Sequence, residues 1–393
     1  MRLSTAVKSA CFFLLGHSTF AEGAKTPQGF LQTWPIPDGV PIVTSFDVKA
    51  CVPGGKWEKI QTYQPVLNVV NFTTGSSIVY NSSMTYFDFN GTVEIQARYL
   101  KDRVSKAVIR PYSLNLIPKQ SGSVITFTLD GPRDIIVQVN DDIFDVLHIF
   151  TNPPNKVVPS EDDKDVIRKG NGVLVYRSKN VSIERLVGIN FLARAYESKD
   201  VTFSHWRDFS AVQWGDGMDV YCCENVLIDS VFLRNSEDCV ADPETIAGLT
   251  IRNIDILDQR EGQVDYQGTI ALNPGDGSLI QDVLIDDVRV EDIRVGQLLN
   301  FRVMYNTKYN TSPGRGIKDV LLRDLKYTGT KASMSIFVGY DEDRTISSVT
   351  FENLVINGKA ISDNMRKPGW YLTTDFIPAY ANEHAHNMTF MSA

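Results

Sequence analysis

Lys199-Asp200-Val201-Thr202-Phe203 and, 25 residues on, Glu224-Asn225-Val226-Leu227-Ile228 are two copies of one unit: a polar pair, an aliphatic residue, one spacer and a second apolar residue. Further copies are Lys179-Asn180-Val181-Ser182-Ile183, Gln281-Asp282-Val283-Leu284-Ile285 and Lys318-Asp319-Val320-Leu321-Leu322. Ala247-Gly248-Leu249-Thr250-Ile251 and Ser347-Ser348-Val349-Thr350-Phe351 are weaker ones. From Val181 to Val201, Val226 and Leu249 the intervals are 20, 25 and 23 residues, and later intervals stretch as loop insertions would stretch them. A repeat near this period means stacked supersecondary units. The unit is β-branched, too short for a helical hairpin, and lacks the leucine-rich consensus. One coil of a right-handed parallel β-helix fits best, with coils stacked about 4.8 Å apart. Val181, Val201, Val226, Leu249, Val283 and Val320 are then expected to fill the interior as ladders. An antiparallel sandwich with coincidental spacing is the competing reading, and sandwiches seldom keep such a unit through seven copies.

Working outward, residues 33 to 154 read differently. Val79–Phe87, Thr92–Arg98, Ala107–Ile109, Val124–Leu129 and Asp134–Val139 are predicted strands separated by Gly, Asn, Ser, Asp and Pro. Short strands at this spacing suggest a β-sandwich. Asn152-Pro153-Pro154 and the charged run Glu161-Asp162-Asp163-Lys164-Asp165 read as a linker. The expected fold is therefore all-β: a sandwich over residues 22–155, then a parallel β-helix over 156–393.

At the start of the chain, Arg2 and Lys8, the apolar stretch Ala10–Gly16 and Thr19-Phe20-Ala21 read as a secretory signal, residues 1–21, cleaved after Ala21. Acceptor sequons begin at Asn71, Asn81, Asn90, Asn180, Asn310 and Asn387. Their density beside a signal sequence points to a secreted, extracellular glycoprotein of eukaryotic origin. Cys51, Cys222, Cys223 and Cys239 show no zinc or redox spacing, and in an oxidising compartment they have the option of pairing. The net charge is −8 and no Lys/Arg run occurs, so neither nucleic acid nor an anionic membrane is an expected partner. No later run is long enough to span a bilayer. A monomer is expected.

Stacked coils superpose residues one period apart. Asp216, in Gly215-Asp216-Gly217-Met218-Asp219, precedes Glu237 by 21 residues and Asp238 by 22. Either offset is one coil, so three carboxylates are expected on one patch. Hydrolysis of a glycosidic bond needs one carboxylic acid to protonate the leaving oxygen and a second carboxylate on the other side. Crowded like charges raise at least one pKa and keep that acid protonated. Glu237 and Asp238 are neighbours and face opposite ways in a regular strand, so both reach one groove only where the strand ends or bulges. Trp206 and Trp214 nearby suit stacking against sugar rings, or packing in the core. The bland alternative is a solvated acidic face, the usual fate of Asp and Glu.

Trp214-Gly215-Asp216-Gly217-Met218-Asp219, followed one period later by Glu237-Asp238-Cys239-Val240-Ala241, resembles the Asn-Thr-Asp-Gly and Asp-Asp-Cys motifs of polygalacturonases, glycoside hydrolase family 28. The layout, a sandwich before the helix, and the stretch Asn300-Phe301-Arg302-Val303 are similar to family 49, the dextranases and isopullulanase. The resemblance implies a parallel β-helix, inverting hydrolysis of an α-linked polysaccharide or oligosaccharide, and no metal or other cofactor. It implies catalysis by Asp216, Glu237 and Asp238 and substrate binding by Arg302, to which Trp214 and Trp206 are added as candidate substrate contacts on their place beside the acids. The polygalacturonase pattern makes Glu237 the acid; the dextranase pattern places it at Asp238, the aspartate that both retain.

The chain departs from these patterns in informative ways. Glu237 stands where the Asp-Asp pair has its first aspartate, and the Gly-His-Gly motif of polygalacturonases is replaced by Gln259-Arg260. Arg302-Val303-Met304 lacks the lysine that helps hold a uronate carboxylate. A neutral glucan is therefore the expected substrate. The span from Pro154 to Val181 is short for this architecture, which favours a shallower groove or a catalytically inactive, glycan-binding β-helix. Pectin-directed hydrolysis or lysis is a third reading, and a lyase needs a base and commonly calcium carboxylates, for which no basic pair lies near Asp216.

Overall fold

The computed structural model describes residues 29–34, 39, 41–42, 44–71, 74–154, 173–184, 187–189, 193–209, 217–234, 240–241, 245–260, 268–308, 310–331 and 333–392. Among them the structure is β throughout, apart from two short 3₁₀ turns. The first half is a sandwich. One sheet joins Gly29–Gln32, Ser83–Gly91, Leu147–Asn152, Asp134–Val139 and Ala107–Arg110, with Thr62–Tyr63 beside Ser83–Gly91. The other joins Lys119–Ser121, Val124–Leu129, Val93–Tyr99, Phe46–Cys51 and Glu58–Ile60. Phe87, Phe89, Ile135 and Ile149 of the first pack against Phe46, Val48, Ile95 and Phe127 of the second in one buried core. The predicted strand Val79–Phe87 is two strands. Ser76–Asn81 forms a hairpin with Val66–Asn71, whereas Ser83–Gly91 lies in the sandwich. The break falls at Ser82, whose amide and hydroxyl donate to the carbonyls of Pro65 and Val146.

From Val173 onward the pairing becomes parallel and the chain stacks in coils. The long strands Lys179–Glu184, Lys199–Ser204, Glu224–Asp229, Ile246–Ile256, Leu279–Val290, Gly316–Tyr327, Ile346–Glu352 and Ala385–Met391 lie side by side in that order. Their register runs Val181, Val201, Val226, Leu249, Val283, Val320, Val349, Met388, so the six expected ladder residues do stack. Val201 to Val349 are buried, and Val181 packs against the same core from the first of these strands. Two residues on, a second ladder runs from Ile183 through Phe203, Ile228, Ile251, Ile285, Leu322 and Phe351 to Phe390, and the last two rings stack 4.8 Å apart.

The polar pair in the repeat has a backbone cause. Its second member, Asn180, Asp200, Asn225, Gly248, Asp282, Asp319, Ser348 or Asn387, has φ between 52° and 75° in every coil. That left-handed conformation turns the strand and is open to Gly and tolerated by Asn and Asp, whose short side chains bond locally. Asn225 Nδ2 donates to Asp200 Oδ1 at 2.9 Å, one coil below. At Gly248 a Cβ would meet Asn225 Oδ1 at 2.7 Å, so a larger residue there would have to displace that side chain. On the solvent face, Asp229, Arg252, Asp286 and Arg323 stack in alternating sign, with Asp229–Arg252 and Asp286–Arg323 joined by two hydrogen bonds each.

Buried ion pairs fasten the sandwich to the helix. Arg207 reaches Asp134 with Nε at 2.8–2.9 Å, and Arg110 Nε meets Glu291 at 2.7 Å. His148, fully buried between them, donates from Nδ1 to Ser83 O and accepts at Nε2 from Arg234 at 2.8 Å. Burial, and then the Arg234 charge, hold its pKa well below the ordinary imidazole value, so it is neutral. Phe150, Phe209 and Phe232 pack around it.

Candidate functional site

In front of each long strand the coil carries a short one: Val173–Tyr176, Ala193–Tyr196, Met218–Tyr221 and Val240–Ala241 pair in parallel, as do Ile270–Leu272, Leu299–Arg302, Ser335–Val338 and Ala379–Ala381 higher in the stack. Alternation sorts their residues. Ala193, Ala195, Met218 and Val220 are buried in the helix core, so Arg194, Tyr196, Asp219 and Tyr221 face outward. The candidates Trp214, Asp216, Glu237 and Asp238 lie outside the described residues. The strands that follow them are described: Met218 pairs with Val240 and Asp219 with Ala241, an offset of 22 residues.

Asp219 is the residue that the sequence reading passed over. It faces outward yet is fully buried, accepting from Arg194 Nε at 3.0 Å and from Arg194 Nη2, both on Oδ2. Its other oxygen, Oδ1, has no hydrogen-bond partner among the described residues. A buried carboxylate oxygen without a donor is costly, so it marks a place where another polar group belongs. The only sequence signal was its position three residues after Asp216 in Gly215-Asp216-Gly217-Met218-Asp219.

Beside this pair runs a column of tyrosines. Tyr176, Tyr196 and Tyr221 occupy the same register position on consecutive coils, with centroids 5.7 and 6.0 Å apart. Arg177 lies over Tyr176 at 4.9 Å and Arg194 over Tyr221 at 5.4 Å. Ring faces are thus largely spent on each other and on guanidinium groups. Tyr176 is half exposed, and the other two are partly exposed. Both arginines are charge-paired, Arg194 with Asp219 and Arg177 with Glu197, whose carboxyl is lowered chiefly by that hydrogen bond.

The structure separates the other expected contacts. Arg302 is at the end of its short strand, partly exposed and on the outward side, opposite to the buried Leu299 and Phe301. It stands three coils above Asp219, about 14 Å along the axis at the usual sheet spacing, so it is not a neighbour of the Asp219 strand. Trp206 is corrected outright. It is fully buried in the helix core, edge-on to Phe203 at 6.3 Å, and has no face to offer a sugar. Its large apolar surface fills the coil interior where the chain turns inward after His205, at φ 51°.

Among the sequons, Asn81, Asn90, Asn180 and Asn387 are exposed, and Asn71 is partly so. Asn310 is engaged: its Nδ2 donates to Asp276 Oδ2 at 2.9 Å, and Thr311 donates to Asp276 Oδ1 through N and Oγ1. Cys51 and Cys223 are buried and Cys222 is partly exposed, and no disulfide joins these three to one another; Cys239 lies outside the described residues. Among the described residues no group of three or more His, Cys, Asp or Glu is gathered as a metal site.

No family model matches the chain, and no curated protein does. Among solved structures, Dex49A from Penicillium minioluteum is similar over 98% of this chain and 100% of its own, with 10% identity and a TM-score of 0.33. A family 28 exopolygalacturonase of Yersinia enterocolitica is similar over 51% of this chain and 44% of its own, with 10% identity and a TM-score of 0.29. Likeness this distant carries no information on activity.

Proposed function

We propose that this chain is a secreted glycoside hydrolase that cleaves an α-linked neutral glucan with inversion. The observation that carries the proposal is the register of the short-strand sheet. Met218↔Val240 fixes an offset of 22 residues, and 22 is also the offset between Asp216 and Asp238, each two residues ahead of its strand. Glu237 is one residue out of step. On this basis Asp238 is the acid that protonates the leaving oxygen, and Asp216 activates water on the opposite face of the sugar. Inversion needs roughly 6.5–9.5 Å between the carboxyls to admit that water. Adjacent coils stand about 4.8 Å apart, so this role requires the two side chains to diverge. Asp219, on the strand Met218–Tyr221 that follows Asp216 in sequence, and Arg194, its register partner one coil earlier, serve as a fixed polar floor, with Asp219 Oδ1 left to accept from substrate or water.

The neutral substrate follows from charge. Arg177 and Arg194 are matched by Glu197 and Asp219, and Arg302 is three coils away, so among the described residues the cations beside Asp219 are already paired and none of them is left for a uronate. The test is release of reducing ends from dextran, pullulan, polygalacturonate and galactan. The reading expects turnover of a glucan. Preferential turnover of polygalacturonate overturns the substrate, and binding without turnover on any polymer leaves the inactive, glycan-binding reading.

A further inference from the structure

The last long strand, Ala385–Met391, pairs with Ile346–Glu352 on one side only. Its other edge is partly closed. Phe390 N donates to Asp363 Oδ2 at 2.9 Å, and Asp363 N donates to Phe390 O at 2.9 Å. In a ladder, alternate residues turn both backbone groups to the same side. Met388, two residues before Phe390, therefore turns its N–H and C=O outward, and these find no partner among the described residues. The same end of the stack exposes apolar side chains: Tyr380 and Met391 on the last coil, and Trp370 and Leu372 in the segment after Asp363. An unpaired edge among exposed apolar groups is a template for adding another molecule's strand.

Asn387-Met388-Thr389 is an acceptor sequon on that edge. Asn387 and Thr389 are exposed, and Asn387 is held at φ 52° in the left-handed row. Within the stack, the row's other asparagine uses its amide on the ladder, Asn225 donating to Asp200. Asn180, on the first long strand, and Asn387, on the last, make no such bond to a described residue, and they are the two members of the row that begin a sequon.

We infer that an N-linked glycan on Asn387 is a molecular cap, covering the open edge at Met388 and blocking end-to-end addition of a second copy. The inference rests on the secretory reading of the chain. In the transfer, Nδ2 of Asn387 bonds to the anomeric carbon of a lipid-diphosphate-linked oligosaccharide. The bond from that carbon to the diphosphate oxygen breaks, the lipid diphosphate leaves, and Nδ2 gives up one proton. Asn180 holds the matching row position on the first long strand and is the second expected site.

The test uses the full chain secreted from a eukaryotic host, with glycopeptide mass analysis and light scattering across a concentration series. Expected are an occupied Asn387 and a monodisperse wild type. Thr389→Ala, which removes the acceptor and keeps the left-handed asparagine, then at least doubles the apparent mass as concentration rises. Thr389→Lys is equally unglycosylated but puts a charge on the edge and restores the single species. Enzymatic removal of glycans from the folded wild type repeats the Thr389→Ala result without relying on refolding. An unmodified Asn387 beside an occupied Asn90 overturns the cap while secretion stands. So does a deglycosylated protein that stays monodisperse. Absence of glycan at all six sequons removes the secretory reading and the cap with it.

Discussion

Replacing Asp282 by valine tests why the repeating unit carries its polar pair. Asp282 sits at φ 55° with an exposed side chain, between Ile280 and Val283, both buried, so the substitution changes backbone preference with little change in burial. A left-handed conformation costs an ordinary L-residue about 1–2 kcal/mol, and a β-branched one is at the upper end. Asp282→Val is therefore expected to destabilise the helix by about 1–2 kcal/mol. At about 2–4 °C per kcal/mol for a unit of this size, the unfolding midpoint falls by about 2–8 °C. Asp282→Gly relieves the strain but loosens the unfolded chain, and the two nearly cancel, within about 0.5 kcal/mol. Asp319, at φ 56° on the next coil and also exposed, provides an independent repeat. Thermal melts followed by circular dichroism give the comparison. Valine variants that melt with the wild type, or glycine variants that melt below the valine ones, would refute the backbone explanation of the motif.

Other outcomes follow from the junction and the loops. Glu291→Gln leaves the buried Arg110 guanidinium without its carboxylate, and denaturant unfolding is expected to register a loss of about 3–5 kcal/mol, while the pair Arg110→Met with Glu291→Leu loses less. Asp88 is buried, and burial pushes its carboxyl up to about 6 against the lowering effects of Tyr86, Asn152, Trp34 and Arg207. The folded state then binds more protons than the unfolded one between about pH 4 and 6. Asp88 thus contributes stability that is present below about pH 4 and lost as pH rises through 6, up to about 3 kcal/mol, a slope that Asp88→Asn should flatten in pH-dependent unfolding. Asn310, whose amide is bound to Asp276, should appear unmodified in glycopeptide analysis of the chain expressed through a eukaryotic secretory host.

The repeating unit was legible because each coil needs the same two inward apolar residues, and a one-residue slip would turn them to solvent. Its polar pair was visible as a pattern, whereas the left-handed turn behind it was not, since nothing local separates an Asn needed for φ from one that is merely exposed. Val79–Phe87 read as one strand because Ser82, which ends it, is bound to Pro65 and Val146, partners that neighbouring residues do not reveal. Trp206 was misplaced for the same reason: proximity in sequence to acidic residues says nothing of depth. Asp219 escaped notice because its burial depends on Arg194, 25 residues earlier. Arg207–Asp134 and Arg110–Glu291 join residues 73 and 181 positions apart, a pairing that only the docking of sandwich on helix creates.

Asp238 is the proposed proton donor, and the rate at which Asp238→Asn releases reducing ends from the proposed glucan substrate tests that role most directly. The substitution keeps the shape and removes the proton, so the rate should fall by about 10²–10⁴ with the unfolding midpoint unchanged. A folded Asp238→Asn protein that cleaves the polymer at the wild-type rate would contradict it.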